Sequence, residues 1–306
     1  MGGPLRDRRV VITGGNSGIG LEAARALAAA GAEVVIAGRN PEKVAAAVEE
    51  VAGFVPGARL ATVTVDLADL TAVAAAADEL HDRFDRIDVL INNAGVMAVP
   101  LRHSADGFEL HFATNHLGHF ALTGQVLDLL TAAPAPRVVT VSSGMHRFAD
   151  AGLANLNAEN GYDKWRAYST SKLCNLRFAF ELQRRLAASG STALSVAAHP
   201  GYAATELQRH GPRMERARVK EHAWTVFNRL FAQSARAGAL PIVHAASAAD
   251  VRGGDYFGPR GPAELWGRPT RVGSTRAARD PDAARRLWAL SESLTGVTYG
   301  VPAVGG

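Results

Sequence analysis

The chain has 306 residues, 47% of them hydrophobic and 20% charged, with 33 Lys+Arg against 29 Asp+Glu for a formal charge of +4. Ordinary apolar content and low net charge exclude a disordered polypeptide, and the length is enough for a large core without disulfides or structural metal. The single cysteine, Cys174, excludes an intrachain disulfide and a cysteine-based zinc site, and the small, arginine-dominated excess of positive charge makes no case for a nucleic-acid partner.

The first residues, Met1-Gly2-Gly3-Pro4-Leu5-Arg6, lack the apolar run of a secretory signal, and Arg6 stands where a myristoylation motif needs Ser or Thr. No apolar stretch is long enough for a membrane span. With a lone cysteine suited to a reducing compartment, the expectation is a cytoplasmic protein.

Short apolar runs rich in β-branched residues occur at 10–12, 34–37, 60–65, 87–91, 138–141 and 194–197, separated by alanine-rich segments with helical spacing. Continuous rather than alternating runs predict parallel strands covered on both faces. The order predicts one α/β domain over 1–306, a doubly wound parallel sheet with helices on both faces. Directly after the first strand comes Thr13-Gly14-Gly15-Asn16-Ser17-Gly18-Ile19-Gly20, followed by a helix expected from near Leu21 to Ala30 and ended by Gly31. Strand, glycine-rich turn and helix N-terminus together make an anion site, because glycines let the backbone approach a pyrophosphate and free helix N–H groups attract it. The spacing is Gly-x-x-x-Gly-x-Gly rather than the general dinucleotide fingerprint, and a tight turn without a ligand is the bland alternative.

The second strand ends in Ala37-Gly38-Arg39-Asn40. A carboxylate there would bind a ribose 2′-hydroxyl and favour NAD(H), whereas Arg39 suits a 2′-phosphate, so NADP(H) is expected over NAD(H). Asn40 and Pro41 are the predicted cap and first residue of the next helix. Asp66 follows the third strand, with a helix cap as its alternative role. The fourth strand runs into Asn92-Asn93-Ala94-Gly95, and Asn115 lies in the helical segment beyond it. His111, His116 and His119 are close in sequence, but no carboxylate completes a motif such as His-Glu-x-x-His, so packing rather than metal binding is expected.

Ser142 and Ser143 end the fifth strand at the carboxyl edge of the sheet, where ligands sit in such folds. Tyr168 and Lys172 share one helix face at i,i+4 spacing. An ammonium and a cationic nicotinamide beside a tyrosine would lower its ordinary pKa of about 10 and make it a usable acid–base. His146 either touches substrate or lies near the serines by chance. Cys174 is expected to pack inside. The stretch 208–231, with Trp224, Phe227 and Phe231 beside many arginines and Gly211-Pro212 near its start, reads as an inserted helical flap, either covering a hydrophobic substrate or simply solvated. A short strand near Tyr256, a Gly/Pro-rich tail and a last helix over 282–294 complete the chain.

Thr13 to Gly20, Asp66, Asn92-Asn93-Ala94-Gly95, Asn115, Ser143, Tyr168 with Lys172, and Pro200-Gly201 occur in the order that the sequence of a short-chain dehydrogenase/reductase would have, over nearly the whole chain. Thr114-Asn115-His116-Leu117-Gly118-His119-Phe120, His199-Pro200-Gly201, Tyr256-Phe257-Gly258-Pro259 and Glu264-Leu265-Trp266-Gly267 look like its retinol-dehydrogenase-like branch. The resemblance implies a Rossmann-type, nucleotide-binding oxidoreductase that transfers a hydride between NADP(H) and a carbonyl or alcohol of a small hydrophobic molecule. It implies Tyr168 as general acid, Ser143 on the substrate oxygen (Ser142 if the register differs by one), Lys172 on the nicotinamide ribose and Asn115 positioning a proton-relay water. Gly14, Asn16, Ser17, Gly18, Ile19, Gly20 and Arg39 would hold the phosphates. Asp66 and Leu67 would hold the adenine, Asn93, Ala94 and Gly95 the adenosine side, and Pro200, Gly201 and Thr205 the nicotinamide end. The Ser143–Tyr168 interval is longer than that family's usual spacing, and homo-oligomerisation stays open. The alternatives are an NADP(H)-sensing regulatory protein on the same fold, which has no need of the Tyr–Lys–Ser set, and an internal-redox epimerase, which would consume no net NADPH.

Overall fold

The computed structural model describes residues 5–201 and 234–301. Thr205 and the expected flap over 208–231 lie outside the described residues. In chain order the elements are β1 (Arg9–Thr13), α1 (Gly18–Ala29), β2 (Glu33–Gly38), α2 (Pro41–Phe54), β3 (Arg59–Thr64), α3 (Leu70–Arg83) and β4 (Val89–Asn92). Next comes α4, built from Leu110–Phe112, a π-helical turn at Ala113–Leu117 and Gly118–Gln125, then α5 (Leu127–Thr131) and β5 (Arg137–Val141). A 3₁₀ turn at Gly144–Phe148 precedes α6 (Lys164–Ala188) and β6 (Leu194–Ala198). Then follow α7 (Ala235–Ser247), β7 (Tyr256–Pro259), β8 (Pro269–Arg271), α8 (Arg276–Arg279) and α9 (Pro281–Thr295).

The strands form one eight-stranded sheet in the order β3-β2-β1-β4-β5-β6-β7-β8. β1 to β7 pair in parallel, with Val10 opposite Val34 on one side and Val89 on the other. β8 is antiparallel to β7 and lies in what the sequence offered only as a Gly/Pro-rich tail. Its three residues, Pro269-Thr270-Arg271, are too few for a periodic signal; pairing with β7 creates the strand.

Alternate residues of the central strands go to opposite faces. Val10, Ile12, Val34, Ile36, Val89 and Ile91 join one core, under α1, α2 and α7. Val11, Val35 and Leu90 join the other, where Phe120, Phe178 and Trp288 pack from α4, α6 and α9. Two covered faces explain the continuous apolar runs. β3 departs from that expectation: it is the edge strand, and only Val63 within it is buried.

Local signals mostly act as written. Asn40 Oδ1 accepts from Lys43 N at 2.9 Å to cap α2, and Gly31 ends α1 in the left-handed region at φ 96°. α1 begins at Gly18 rather than near Leu21, because Leu21 N already donates to the Ser17 carbonyl at 3.2 Å. α3 is capped by Asp69, whose Oδ1 accepts from Thr71 N at 2.9 Å, and not by Asp66. The chain turns to opposite sides after β1 and β4, so the carboxyl ends of these two strands flank the crevice where such sheets bind ligands.

Candidate active site

At the end of β1 the Thr13 hydroxyl joins two loops. It accepts from Asn93 N at 2.9 Å and Ala94 N at 3.0 Å, and it meets His119 Nε2 at 2.8 Å. Asn93 reaches back, its amide donating to Thr13 O at 2.8 Å. The Asn93 side chain thus braces the glycine turn. The turn has no room for side chains: a Cβ on Gly20 would stand 2.2 Å from the Gly14 carbonyl oxygen. Ser17 is exposed at the N-cap position of α1 without capping it, and Gly18 and Ile19 open the helix beside it. This tight, backbone-lined turn at a helix N-terminus fits the pyrophosphate of a dinucleotide. Asn16 packs over the end of β2, where a Cβ on Gly38 would come within 2.8 Å of its Oδ1.

Arg39 projects into solvent one residue past β2, with its guanidinium 3.8 Å from Asp66. Asp66 Oδ1 accepts from Ala68 N at 3.0 Å, so one oxygen holds its own turn while the other faces Arg39. Leu67 is buried against α4, since a Cβ on Gly118 would lie 2.2 Å from its carbonyl oxygen. An exposed, loosely paired guanidinium at this place fits a 2′-phosphate.

The Tyr168–Lys172 face of α6 packs on the end of β5. Tyr168 is buried, and burial raises its pKa while a hydrogen bond with Ser143 pulls it down. Lys172 Nζ donates to Val141 O at 3.2 Å and stands 5.9 Å from the Tyr168 ring centre. Desolvation lowers its pKa to about 8. In the protein alone burial sets the direction for the tyrosine, and it is Ser143 rather than Lys172 that opposes it. The two serines differ: Ser142 Oγ donates to Lys172 O at 2.8 Å, fixing the end of β5 to α6, and Ser143 is the one whose hydroxyl lowers the phenol pKa.

Asn115 sits in the π-helical turn of α4, a local widening that recurs at functional sites. Its Oδ1 accepts from Val96 N at 2.8 Å, and its Nδ2 donates to Val96 O and to Ser171 Oγ at 3.0 and 2.9 Å. The amide is fully engaged, locking α4 to the 93–96 loop and to α6. Gly95 lies between them; a Cβ there would come within 2.8 Å of Asn115 Oδ1 and 3.4 Å of Lys172 Nζ. Thus Gly95, Asn115, Ser143, Tyr168 and Lys172 are brought together, with the glycine turn joined through Thr13 and His119.

Sequence reasoning missed His119, whose Nδ1 meets the Asn115 carbonyl at 3.1 Å. A carbonyl only accepts, so Nδ1 carries the proton and the bare Nε2 accepts a hydrogen bond from the Thr13 hydroxyl, which also lies 3.3 Å from Ile91 O. The i,i+4 spacing of Asn115 and His119 was the available signal. The three clustered histidines do pack: His116 meets Ser291 at 2.8 Å and His111 meets Glu109 at 2.7 Å, all buried. Among the described residues no cluster of three or more potential ligands could hold a metal ion. His146 is buried with Nδ1 on Ser143 O at 2.7 Å, supporting the serine's turn. Cys174 is buried beside Phe112 and Leu287, and burial pushes its thiol up to about 12. The long Ser143–Tyr168 interval is fastened to the loop before α4, where Tyr162 donates to Val99 O at 2.6 Å and Asn157 accepts from Glu109 N at 2.7 Å.

The short chain dehydrogenase family model matches residues 8–216. Mouse retinol dehydrogenase 14 is 36% identical over 313 residues, covering 96% of this chain and 88% of its own. Mouse polyprenol dehydrogenase is 36% identical over 303 residues, covering 97% and 86%. A solved structure of an uncharacterised protein from Mycobacterium paratuberculosis superposes with a TM-score of 0.79 at 42% identity, covering 96% of each chain. Among the described residues no helix is long and apolar enough to cross a membrane.

Proposed function

The chain belongs to the short-chain dehydrogenase family, in its retinol-dehydrogenase-like branch, and on that premise we propose that it is an NADP(H)-dependent oxidoreductase acting on a carbonyl or alcohol of a small hydrophobic molecule. The observation that carries the reading is the buried Tyr168 phenol, whose pKa the Ser143 hydroxyl draws down against burial, with the Lys172 ammonium 5.9 Å from its ring centre and beside Gly95. Retinoid- and polyprenol-like alcohols and their carbonyls are the substrate class, by analogy with the relatives of those names. NADP(H) is favoured by Arg39 and by the absence of a carboxylate at the end of β2 in the sequence Ala37-Gly38-Arg39-Asn40. A cytoplasmic location belongs to the same proposal, supported by a single, buried and inert thiol.

A bound nicotinamide supplies the hydride. The chain supplies the proton and the orientation. Tyr168 Oη gives its proton to the substrate oxygen, and Ser143 Oγ donates a second hydrogen bond to that oxygen as negative charge builds on it. Burial keeps the phenol protonated, which suits reduction; running the reaction as an oxidation needs the extra cation of the oxidised cofactor to draw the proton off. Lys172, anchored on Val141 O, holds positive charge beside the phenol and would hold the nicotinamide ribose. Asn115 acts as a positioning residue that keeps the 93–96 loop, α4 and α6 in register.

The test is NADPH oxidation by the purified protein over a panel of hydrophobic aldehydes and ketones. Tyr168→Phe is expected to fold and bind NADPH while losing about 10²- to 10⁴-fold in kcat. A fully active Tyr168→Phe protein sinks the mechanism. Product formed without net NADPH loss favours the epimerase, and NADPH binding with no turnover on any substrate favours the sensor.

A further inference from the structure

One carboxylate far along the chain touches both turns that frame the substrate end of the crevice. Glu264 lies in the turn between β7 and β8, beyond residue 216, where the family match stops. Its Oε1 accepts from Arg147 Nη2 at 2.9 Å and its Oε2 meets Arg147 Nη1 at 3.3 Å and His199 Nε2 at 3.0 Å. Arg147 belongs to the 3₁₀ turn that Ser143 caps, and the same guanidinium also donates to Gly273 O at 3.2 Å.

The imidazole carries the connection further. His199 Nδ1 accepts from Gly201 N at 3.2 Å, so Nδ1 must be bare and Nε2 must carry the proton. A carboxylate on Nε2 selects that tautomer. Removing it leaves the ring free to protonate at Nδ1, which would turn two N–H groups against each other at Gly201. The ring has no slack, because a Cβ on Gly258 would stand 2.1 Å from its Nε2. Gly201 itself is in the left-handed region at φ 68°, and a Cβ on it would meet Leu265 O at 2.5 Å and Glu264 O at 2.9 Å. The Glu264 turn therefore rests directly on the Pro200–Gly201 turn.

The backbone reinforces the point. Ala263 and Glu264 have φ of 51° and 57°, a conformation that residues with side chains seldom adopt. Consecutive residues of this kind persist where the surrounding contacts dictate them. Here those contacts are the ion pair and the imidazole. The hydrogen bond from His199, followed by the charge of Arg147, holds the Glu264 carboxyl below its usual range and keeps it ionised at neutral pH.

We propose that Glu264 is a positioning residue of the active site, fixing the His199 tautomer that orients Gly201 and tying the Ser143 turn to the Pro200–Gly201 turn through Arg147. The inference rests on the oxidoreductase reading for its catalytic consequence, while the tautomer itself can be read without any turnover. The fastening comes from the turn between β7 and β8, beyond residue 216, where the family model's match stops.

The experiment compares wild type, Glu264→Ala and Glu264→Gln by steady-state NADPH-dependent reduction and by ¹⁵N NMR of histidine-labelled protein, with His199 assigned by its loss in His199→Gln. Glu264→Ala is expected to lower kcat on the order of 10- to 100-fold, with the NADPH Kd within about twofold of wild type. Its His199 signal should leave the Nε2-protonated pattern. Glu264→Gln keeps an oxygen acceptor for Nε2–H but turns its amide nitrogen toward Arg147, so the wild-type tautomer should return with part of kcat, which a merely structural loss would not show. If Glu264→Ala does not fold, Arg147→Met cuts the link to the Ser143 turn alone, and a kcat loss with the tautomer intact is expected. An unchanged His199 signal or an unchanged kcat in Glu264→Ala overturns the proposal, as does an unchanged kcat in Arg147→Met. If instead Tyr168→Phe is fully active, the oxidoreductase mechanism fails while the tautomer result still stands or falls by itself.

Discussion

The two ends of the crevice are built from different materials. Around Gly14 to Gly20 main chain is one partner in each contact: the N–H groups of residues 93 and 94 on the Thr13 hydroxyl, the Thr13 carbonyl on the Asn93 amide, and Gly20 pressed against the Gly14 carbonyl. Around Ser143 and Gly201 they are made by side chains brought from far apart, with Arg147 and Glu264 separated by 117 residues and His199 and Glu264 by 65. A backbone-built site fails when a Cβ intrudes. A side-chain-built site keeps its backbone and fails when an orientation is lost. The cofactor end should therefore break in affinity and stability, and the substrate end in turnover.

The largest expected break is at the glycine turn. Gly20→Val would drive its side chain into the Gly14 carbonyl, 2.2 Å from the first added carbon. The expectation is a loss of about 3 kcal/mol or more of stability in urea unfolding, together with a collapse of NADPH affinity in a fluorescence titration. Wild-type affinity in this variant would mean that the turn does not hold the cofactor. A narrower break lies at Arg39, which is mostly exposed, so its removal should not disturb folding. Losing one charge-assisted contact of about 1.5–3 kcal/mol, Arg39→Ala should weaken NADPH by roughly 10- to 100-fold while leaving NADH within about twofold. Equal loss for both cofactors would remove the 2′-phosphate assignment.

The smallest effect sharpens the comparison through pH. Lys172 is held near 8 by burial, below the ordinary lysine value of 10.5. Between these two values the unfolded chain binds the proton and the folded chain has released it. Stability contributed by this group therefore rises as pH increases from about 8 toward about 10. Catalysis that needs the ammonium should fall across the same interval in the free enzyme. Thermal melts of wild type against Lys172→Met should diverge with that sign; parallel curves would show that the amine is not perturbed.

How much of this was legible in the sequence follows from the same division. The glycine turn, the Asn40 cap and the Tyr168–Lys172 pair are local patterns, set by φ, by helix termini and by a spacing of four, and each lies where its pattern put it. The role of Asn115 was half legible. Its position could be read, but the π-helical turn and the engagement of its amide by Val96 and Ser171 depend on α4 meeting α6. The contact of the Asn93 amide with Thr13 O likewise depends on the β4 loop meeting the end of β1. Asp66 gave no sign that Asp69 would be the cap, because two Asp residues three apart are equally good caps until the helix start is known.

By itself the sequence determined the doubly wound sheet, the glycine turn after its first strand and the Tyr168–Lys172 pair on one helix face. These follow from apolar runs buried on two faces and from residue types whose chemistry does not depend on context. Tertiary structure decided that burial raises the Tyr168 pKa, that β8 exists, and that Glu264 reaches His199 and Arg147. Hydrogen-bond partners, desolvation and edge pairing depend on what lies across space, and a carboxylate at 264 carries no mark in the chain of the arginine at 147 that it will meet.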